Sequence, residues 1–173
     1  MKINGALIFK WAKILFPMHR SITGSGTLKT LIFLRDNLNL FKIHKIKTGT
    51  KVFDWKVPKV WEIKDAYIKD KKGKKIVDYK NNNLHIVGYS TPFKGKLSGT
   101  ELQKNLYSIP NQKNAIPFIT SYYQKKWGFC LSENSRKKIK KNEKYEILIN
   151  SKFKDGYLNF GELYKKGKTK SEI

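Results

Sequence analysis

The spacing of apolar residues predicts that the chain begins with two helices. Apolar side chains recur at helical spacing from Leu7 to Leu15, and Pro17 ends this first predicted helix. The glycine-bearing loop SITGSG follows at residues 21–26. A second helix is predicted from Thr27 to about Leu38, where apolar positions again fall at helical spacing. The bend between the two helices contains Met18, His19 and Arg20.

Beyond Phe41 the apolar residues alternate with polar ones, which is the period of β-strands. The stretch FKIHKIKTGTKVFDWKVP predicts two strands joined by a Thr-Gly-Thr turn. VWEIKDAYIKDKKGKKIVDYK predicts a hairpin that turns near Asp70 to Gly73. Three further strands are predicted in LHIVGYS, AIPFITSYY and WGFCLS.

Short helices and a last run of alternating residues complete the pattern. Ser98 and Glu101 have the spacing of a capping box, so a short helix is expected after them, and Ser132 can cap another. Apolar residues alternate from Tyr145 to Phe153, and Asp155-Gly156 predicts a turn. The predicted fold class is α+β: two N-terminal helices followed by a mostly antiparallel β module with two short helices.

The large positive charge of the chain is weaker evidence for a nucleic-acid partner than its magnitude suggests. The formal net charge is +24 and the isoelectric point about 10.0, values typical of proteins that bind nucleic acid or anionic membranes. All but three of the 37 basic residues are lysines, however, and they are spread along the chain. Because arginine is the side chain suited to bidentate phosphate contacts, we interpret the excess as a solvated lysine surface and expect no nucleic-acid partner.

The sequence also indicates a compartment. The single cysteine, Cys130, excludes an internal disulfide, and its apolar neighbours favour a small buried hydrophobe over a nucleophile. No apolar run has the length of a membrane span, and the first residues lack the cleavage site of a signal peptide. We therefore predict a cytoplasmic protein without a membrane partner.

Candidate functional residues lie at the bend between the helices and in TSYYQKKWGFC, residues 120–130. The pair His19 and Arg20 could hold a carboxylate or phosphate, or could simply be cations at a helix end. Tyr122, Tyr123 and Trp127 are mixed with lysines, which suits stacking of single-stranded bases, but alternate residues of a strand face opposite sides. No histidine has a second ligand at the spacing of a zinc site, so no cofactor is expected in this chain.

Five phrases of the chain occur in the same order in a known bacterial family. They are FPMHRSITGSG, TGTKVFDWKVPKVWEIKDAYIKD, LHIVGYSTP, IPFITSYYQKKWGFCLS and DGYLNFGELYKKG. The chain resembles the N-terminal half of this family, which is called aminopeptidase-like. Its members carry a domain of unknown function beside a zinc-exopeptidase-type catalytic domain, and many are linked with surface polysaccharide biosynthesis.

The resemblance implies three domains and a missing metal site. Residues 1–40 would be a helical segment of the catalytic domain, 41–142 an inserted β-rich accessory domain, and 143–173 the first strands of an incomplete α/β zinc-peptidase-like domain. Ser171–Ile173 would begin another strand. The family's His-x-Cys-His-Pro segment, which resembles a set of metal ligands, lies beyond that point, so zinc is expected only in full-length relatives.

The resemblance therefore implies the N-terminal fragment of an aminopeptidase-like metal hydrolase, inactive alone. Its partners would be the missing C-terminal catalytic part and, in full-length relatives, a peptide-like or amide substrate. His19, Arg20, Tyr122, Tyr123 and Trp127 are then expected to line the substrate cleft. The alternatives are a stand-alone basic β module that binds nucleic acid or an anionic glycan, and a remnant without function.

Overall fold

Two helices form the start of the chain, close to where the apolar spacing predicts them. The computed structural model describes residues 4–167. Helix α1 spans Gly5–Leu15 and helix α2 spans Ser25–Asn37. The side chain of Asn4 caps α1 by accepting a hydrogen bond from the amide of Leu7. Both predicted N-terminal helices are confirmed.

The two short helices begin at the serines that the sequence marks. Helix α3 spans Gly99–Leu102 and helix α4 spans Glu133–Lys137. Ser98 accepts from the amide of Glu101 while the Glu101 carboxylate accepts from Ser98, so the predicted capping box is present. Ser132 caps α4 in the same way through the amide of Ser135. Short 3₁₀ turns add Asn83–His85 and Gln103–Asn105.

Ten strands lie between residues 4 and 167, and all but one pair of them run antiparallel. They are, in chain order, β1 Phe41–Lys47, β2 Lys51–Val52, β3 Trp55–Lys56, β4 Val60–Lys69, β5 Lys75–Asp78, β6 Phe93–Ser98, β7 Leu106–Tyr107, β8 Phe129–Cys130, β9 Lys144–Lys154 and β10 Tyr157–Leu163. The largest sheet has the order β5–β4–β9–β6, and β4 pairs with β9 along most of its length. The fold is therefore α+β, as predicted.

The core packs against one face of this four-stranded sheet. Ala66 and Ile68 of β4 and Ile147 of β9 are 0% exposed, and alternate residues of a strand share a face. Side chains from outside the sheet cover them, and three of these are also 0% exposed: Leu102, Phe129 and Leu131. The sheet and its covering segments together form the β module, residues 60–154, with a closed apolar core.

A smaller layer is built from α1, α2 and a two-stranded sheet of β1 with β10, in which Phe41 pairs with Leu163. We call it the helical layer. Helix α2 lies against this sheet. The edge of Trp11 meets the ring of Phe33 at 5.7 Å and joins α1 to α2. No residue of either helix is buried, so the helical layer lacks a core of its own.

The segment Thr120–Cys130 is not a hairpin: the strand predicted in WGFCLS is present as Phe129–Cys130, whereas the strand predicted in AIPFITSYY does not form. Only Phe129–Cys130 forms a strand, and it pairs in parallel with β7. The preceding backbone satisfies its polar groups in short-range turns instead, such as the bond from the amide of Gln124 to the carbonyl of Ser121. Ser121 itself donates to Gly88, which anchors the segment as a loop on the module.

Other strand predictions fail because distant segments pair instead. LHIVGYS contains a 3₁₀ turn and two isolated bridges, at Ile86 and Gly88. Strand β1 pairs with β10 and not with the following segment, so Asp155-Gly156 connects two sheets and does not close a hairpin. The hairpin of β4 and β5 is confirmed.

The division into domains at residues 40 and 142 stays a prediction. Strand pairing joins β9 to β4 and β6 of the β module, whereas β10 belongs to the helical layer. The strand expected at Ser171–Ile173 lies outside the described residues.

Replacing Phe129 with alanine should destabilise the β module. The ring is 0% exposed, so its removal leaves a cavity and should lower the free energy of unfolding by about 3–5 kcal/mol. Phe53 is 94% exposed, and the matched control Phe53→Ala should change this free energy by less than about 0.5 kcal/mol. Urea unfolding followed by tryptophan fluorescence measures both. Equal effects of the two substitutions would contradict the placement of the core.

Candidate functional site

A buried aromatic wall lies between two cavities, where the helical layer meets the β module. Its members are Trp61 of β4 and Tyr89, whose rings stack at 5.9 Å with an interplanar angle of 19°. The Trp61 indole N–H donates to the carbonyl of Ser90 at 2.9 Å. The Tyr89 hydroxyl donates to the carbonyl of Lys59 at 3.1 Å and lies 2.5 Å from the Thr23 hydroxyl. Every polar end of the wall is therefore satisfied.

Tyr89 is held in an uncommon backbone conformation. Its φ is +65°, in the left-handed region that large side chains rarely adopt. Burial raises the pKa of Tyr89 to about 12, so the hydroxyl keeps its proton and can donate at neutral pH. Backbone strain of this kind persists where surrounding contacts enforce it, and it is concentrated at functional sites. The wall thus combines a strained residue, Tyr89, which lines one cavity, with Trp61, which lines the other.

The first cavity is polar and has a volume of about 450 Å³. Its lining includes His19, Ser21, Lys29 and Glu62, with the rings of Trp61 and Tyr79. The imidazole of His19 lies 5.5 Å from the Trp61 ring and 5.4 Å from the Tyr79 ring. We call this space the polar cavity.

The contacts of His19 fix its tautomer. Nδ1 lies 3.2 Å from the Asn83 carbonyl, which can only accept, so Nδ1 carries the hydrogen. Burial lowers the pKa of His19, the Asn83 carbonyl opposes this shift, and the Arg20 guanidinium adds to it. His19 is therefore neutral at pH 7. Its Nε2 is buried and has no hydrogen-bond partner in the described part of the chain.

Arg20, unlike its neighbour His19, does not line the polar cavity. Its guanidinium is exposed and donates to the carbonyl of Leu15 at 2.5 Å, at the C-terminal end of α1. It lines neither of the two cavities. This contact matches the interpretation of a cation at a helix end.

The TGSG motif holds α2 against the module by close backbone contacts. Gly24 has a φ of +105°, and a Cβ there would lie 2.7 Å from the Trp61 carbonyl oxygen. A Cβ on Gly26 would lie 1.8 Å from the His19 carbonyl oxygen. Between them, the amide and hydroxyl of Ser25 both donate to the Glu62 carboxylate, which occupies the N-terminus of α2. The motif therefore has a structural role, and the Glu62 carboxylate already accepts the hydrogen bonds of Ser25.

The second cavity is mainly apolar and has a volume of about 550 Å³. We call it the aromatic cavity. Tyr122 meets Tyr89 edge to face at 4.8 Å, and Tyr123 meets Tyr122 in the same way at 6.5 Å. Phe153 of β9 closes another side, 5.9 Å from Tyr89. Pro58, Pro92, Lys59 and Lys125 also line this space.

Trp127 lies apart from these tyrosines. It stacks on Phe93 of β6 at 4.2 Å and packs against the core of the module. It lines neither of the two cavities. The structure thus brings together only Tyr122 and Tyr123 of the five residues predicted for the cleft, with His19 on the far side of the wall.

Comparison with known proteins identifies the family. A family model described as "Domain of unknown function (DUF2172)" matches residues 60–152, more than half of the chain. The chain belongs to the DUF2172 family. The matched segment includes the wall residues and the tyrosines of the aromatic cavity, whereas His19 and Arg20 lie outside it.

Two matches from Clostridium acetobutylicum extend the DUF2172 result, one to a curated protein and one to a solved structure. One is named for polysaccharide biosynthesis and for an aminopeptidase-like domain, and it is 45% identical over 98% of this chain, which corresponds to 39% of its own length. The other is a crystal structure of a protein named as a peptidase, with a TM-score of 0.85 and 44% identity. That match covers 91% of this chain and 37% of the crystallised one. The resemblance to an aminopeptidase-like protein is confirmed, and the DUF2172 chain spans less than half the length of these relatives.

Metal ligands and the cysteine are two kinds of group that could carry catalytic chemistry within residues 4–167 of the DUF2172 chain. No group of three or more His, Cys, Asp or Glu residues in this range could hold a metal ion. Burial raises the pKa of Cys130 to about 12, so the thiol is not a nucleophile at neutral pH. None of the helices in the same range is long and apolar enough to cross a membrane.

Sequence reasoning identified only Tyr122 and Tyr123 of the residues that line the aromatic cavity, and it missed Lys59, Tyr89 and Phe153 among others. They lie on separate segments and meet only through pairing of β4 with β9 and the bridge at Gly88. The only local signal is the tyrosine that follows a glycine in the VGYS stretch, and it does not distinguish a wall residue from an ordinary strand residue.

Replacing Gly26 with alanine should destabilise the DUF2172 chain, because the new methyl group would collide with the His19 carbonyl. We expect the free energy of unfolding to fall by more than about 2 kcal/mol. Gly5 has nothing within 4 Å of its would-be Cβ, so Gly5→Ala is a matched control that should be neutral or slightly stabilising. Thermal unfolding followed by circular dichroism compares them. A Gly26→Ala variant as stable as Gly5→Ala would refute the close packing of the motif.

Stability should fall as the pH drops below about 6.5, the ordinary pKa of histidine, because of His19. Its lowered pKa means that the unfolded chain binds more protons than the folded one in this range, which favours unfolding. His19→Gln should flatten the decline between about pH 6.5 and 5, whereas His44→Gln, at a half-exposed histidine that contacts Glu162, should retain it. Urea midpoints across this range provide the measurement. An unchanged decline in His19→Gln would show that His19 is not buried in its neutral form.

Proposed function

We propose that this chain is the N-terminal accessory portion of an aminopeptidase-like metal hydrolase of the cytoplasm, linked to surface polysaccharide biosynthesis. The observation that supports this most is the 45% identity, over 98% of this chain, to a relative named for both properties. The relative is more than twice as long as the matched segment. On this proposal the remaining, C-terminal part of such a protein is the partner of this chain.

The helical layer has the properties of a surface that docks against that partner. Helix α2 lies on one face of the β1–β10 sheet, and the opposite face carries Ile46, Leu158 and Phe160. Phe160 is 43% exposed, and Phe9 of α1 is 62% exposed. Two-stranded sheets are marginal in water unless something packs against them. A catalytic part that covers this face would complete the core that the layer lacks.

Zinc belongs to the C-terminal part on this proposal. The residues between 4 and 167 do not fit a zinc site, because they contain no cluster of three or more ligand side chains. In a zinc hydrolase the metal polarises the scissile carbonyl and generates hydroxide. The isolated chain is therefore expected not to hydrolyse a peptide or amide bond.

The contribution of this chain to the substrate cleft would be the aromatic cavity. Tyr122 and Tyr123 line it, and Tyr123 is 82% exposed and free to meet a ligand. His19 would shape the cleft only from the other side of the Trp61–Tyr89 wall. Arg20 and Trp127 act as structural residues on this proposal, because neither lines a cavity of the site.

The chain should bind the complementary part of the Clostridium acetobutylicum relative, the region that the match does not cover. We expect a one-to-one complex in size-exclusion chromatography with light scattering. We also expect zinc-dependent release of p-nitroaniline from aminoacyl-p-nitroanilides by the complex only. Phe160→Asp should abolish the complex, because it places a charge on the uncovered face of the sheet.

Phe118→Asp is the matched control for this experiment. Phe118 is 65% exposed but lies in a loop outside the helical layer, so this variant should bind like the parent chain. Hydrolysis by the isolated 173-residue chain would overturn the proposed division of labour. A complex that tolerates Phe160→Asp would overturn the proposed docking face.

A further inference from the structure

The charges around the aromatic cavity have one sign. Lys59 and Lys125 line it, and no Asp or Glu is among its lining residues. Within residues 4–167 neither lysine lies within 4.0 Å of a carboxylate oxygen, although several other lysines of the chain form such pairs. Two unpaired ammonium groups beside an apolar surface attract an anionic ligand, since less water competes there for the charge.

The polar cavity on the other side of the wall has charges of both signs. Glu62 lines it, and the Lys29 ammonium is the only lysine among its lining residues. A lining whose charges are all positive is therefore a local feature of the aromatic cavity and does not simply follow from the net charge of +24.

The rings of the aromatic cavity are arranged to hold one small ring. Tyr89, Tyr122 and Tyr123 meet successively edge to face, at interplanar angles of 88° and 89°, so they do not form a flat stacking platform. Tyr123 presents an open face, and the cavity volume of about 550 Å³ fits a ligand of one or two sugar units. Thr91 and Gln124 add side-chain groups that can hydrogen-bond to hydroxyls.

We propose that the aromatic cavity binds a sugar residue that carries a carboxylate. The pyranose ring lies against Tyr123 and Tyr122, and its carboxylate is held by Lys125 and Lys59. This inference deepens the proposed function and rests on it for the setting, a hydrolase that acts on a glycan-linked substrate. The binding itself requires only residues of this chain. Single-stranded nucleic acid fits less well, because it needs several parallel ring faces and a basic track for successive phosphates.

Titration of the 173-residue chain with trigalacturonic acid tests the proposal. Isothermal titration calorimetry should show saturable binding at one site, which weakens as salt is added. The fully methyl-esterified trisaccharide has the same rings without charge, and it should bind at least about tenfold more weakly. Tyr123→Ala should also weaken binding of the acid about tenfold, the size expected for the loss of one stacked ring.

Matched variants separate the site from the general surface. Lys125→Gln should weaken binding and reduce its dependence on salt, whereas Lys51→Gln, at an exposed lysine outside the cavity, should do neither. Phe53→Ala, at another highly exposed ring, is the control for Tyr123→Ala. Both cavity variants alter exposed side chains and should keep the thermal unfolding of the parent chain.

Four results would overturn the proposal. They are the absence of saturable binding, equal binding of acid and ester, undiminished binding by Tyr123→Ala, and tighter binding of oligothymidylate than of the trisaccharide. The last result would favour nucleic acid. Failure of the chain to bind the complementary part of the relative would leave these titrations unaffected, so the two proposals fail separately.

Discussion

The burial of Trp61 joins the helical layer to the β module. Its indole is 2% exposed, and both of its N–H groups are satisfied: the indole donates to Ser90 and the backbone amide to the hydroxyl of Thr23. Burying a large ring is favourable only when its polar end keeps a partner. Thr23 comes from the loop before α2, so the same contacts that bury Trp61 also fix that loop. The same wall separates the two cavities, because Trp61 lines one of them and Tyr89 lines the other.

Local signals in the sequence were enough for the helices and the β4–β5 hairpin. The capping box of Ser98 and Glu101 and the cap at Ser132 are decided by residues three positions apart, and the structure contains both. The apolar spacing from Leu7 to Leu15 likewise predicts helix α1 without information about any distant residue. Such features can be predicted from the sequence because the residues that determine them are neighbours along the chain.

The predictions that failed concern features that depend on residues far apart along the chain. Strand β1 pairs with β10 across more than 100 residues, and nothing in either stretch specifies that choice. The aromatic, lysine-rich loop before Phe129 has the composition of a strand, yet its rings are placed by Tyr89 and Phe93, which precede it by about 30 residues. The aromatic cavity could not be assembled from the sequence for the same reason, since Lys59, Tyr89 and Phe153 meet only in the folded sheet.

The two layers differ in how complete their cores are, and this difference supports the proposed division of roles. The β module closes its own core around Ile68 and Phe129, both 0% exposed, whereas neither helix of the other layer buries a single residue. A module with a closed core can hold a rigid ligand cavity without help from another domain. A layer without one gains stability only by covering its apolar side chains. On the two proposals, ligand recognition falls to the module and docking to the helical layer, so different residues carry the two roles.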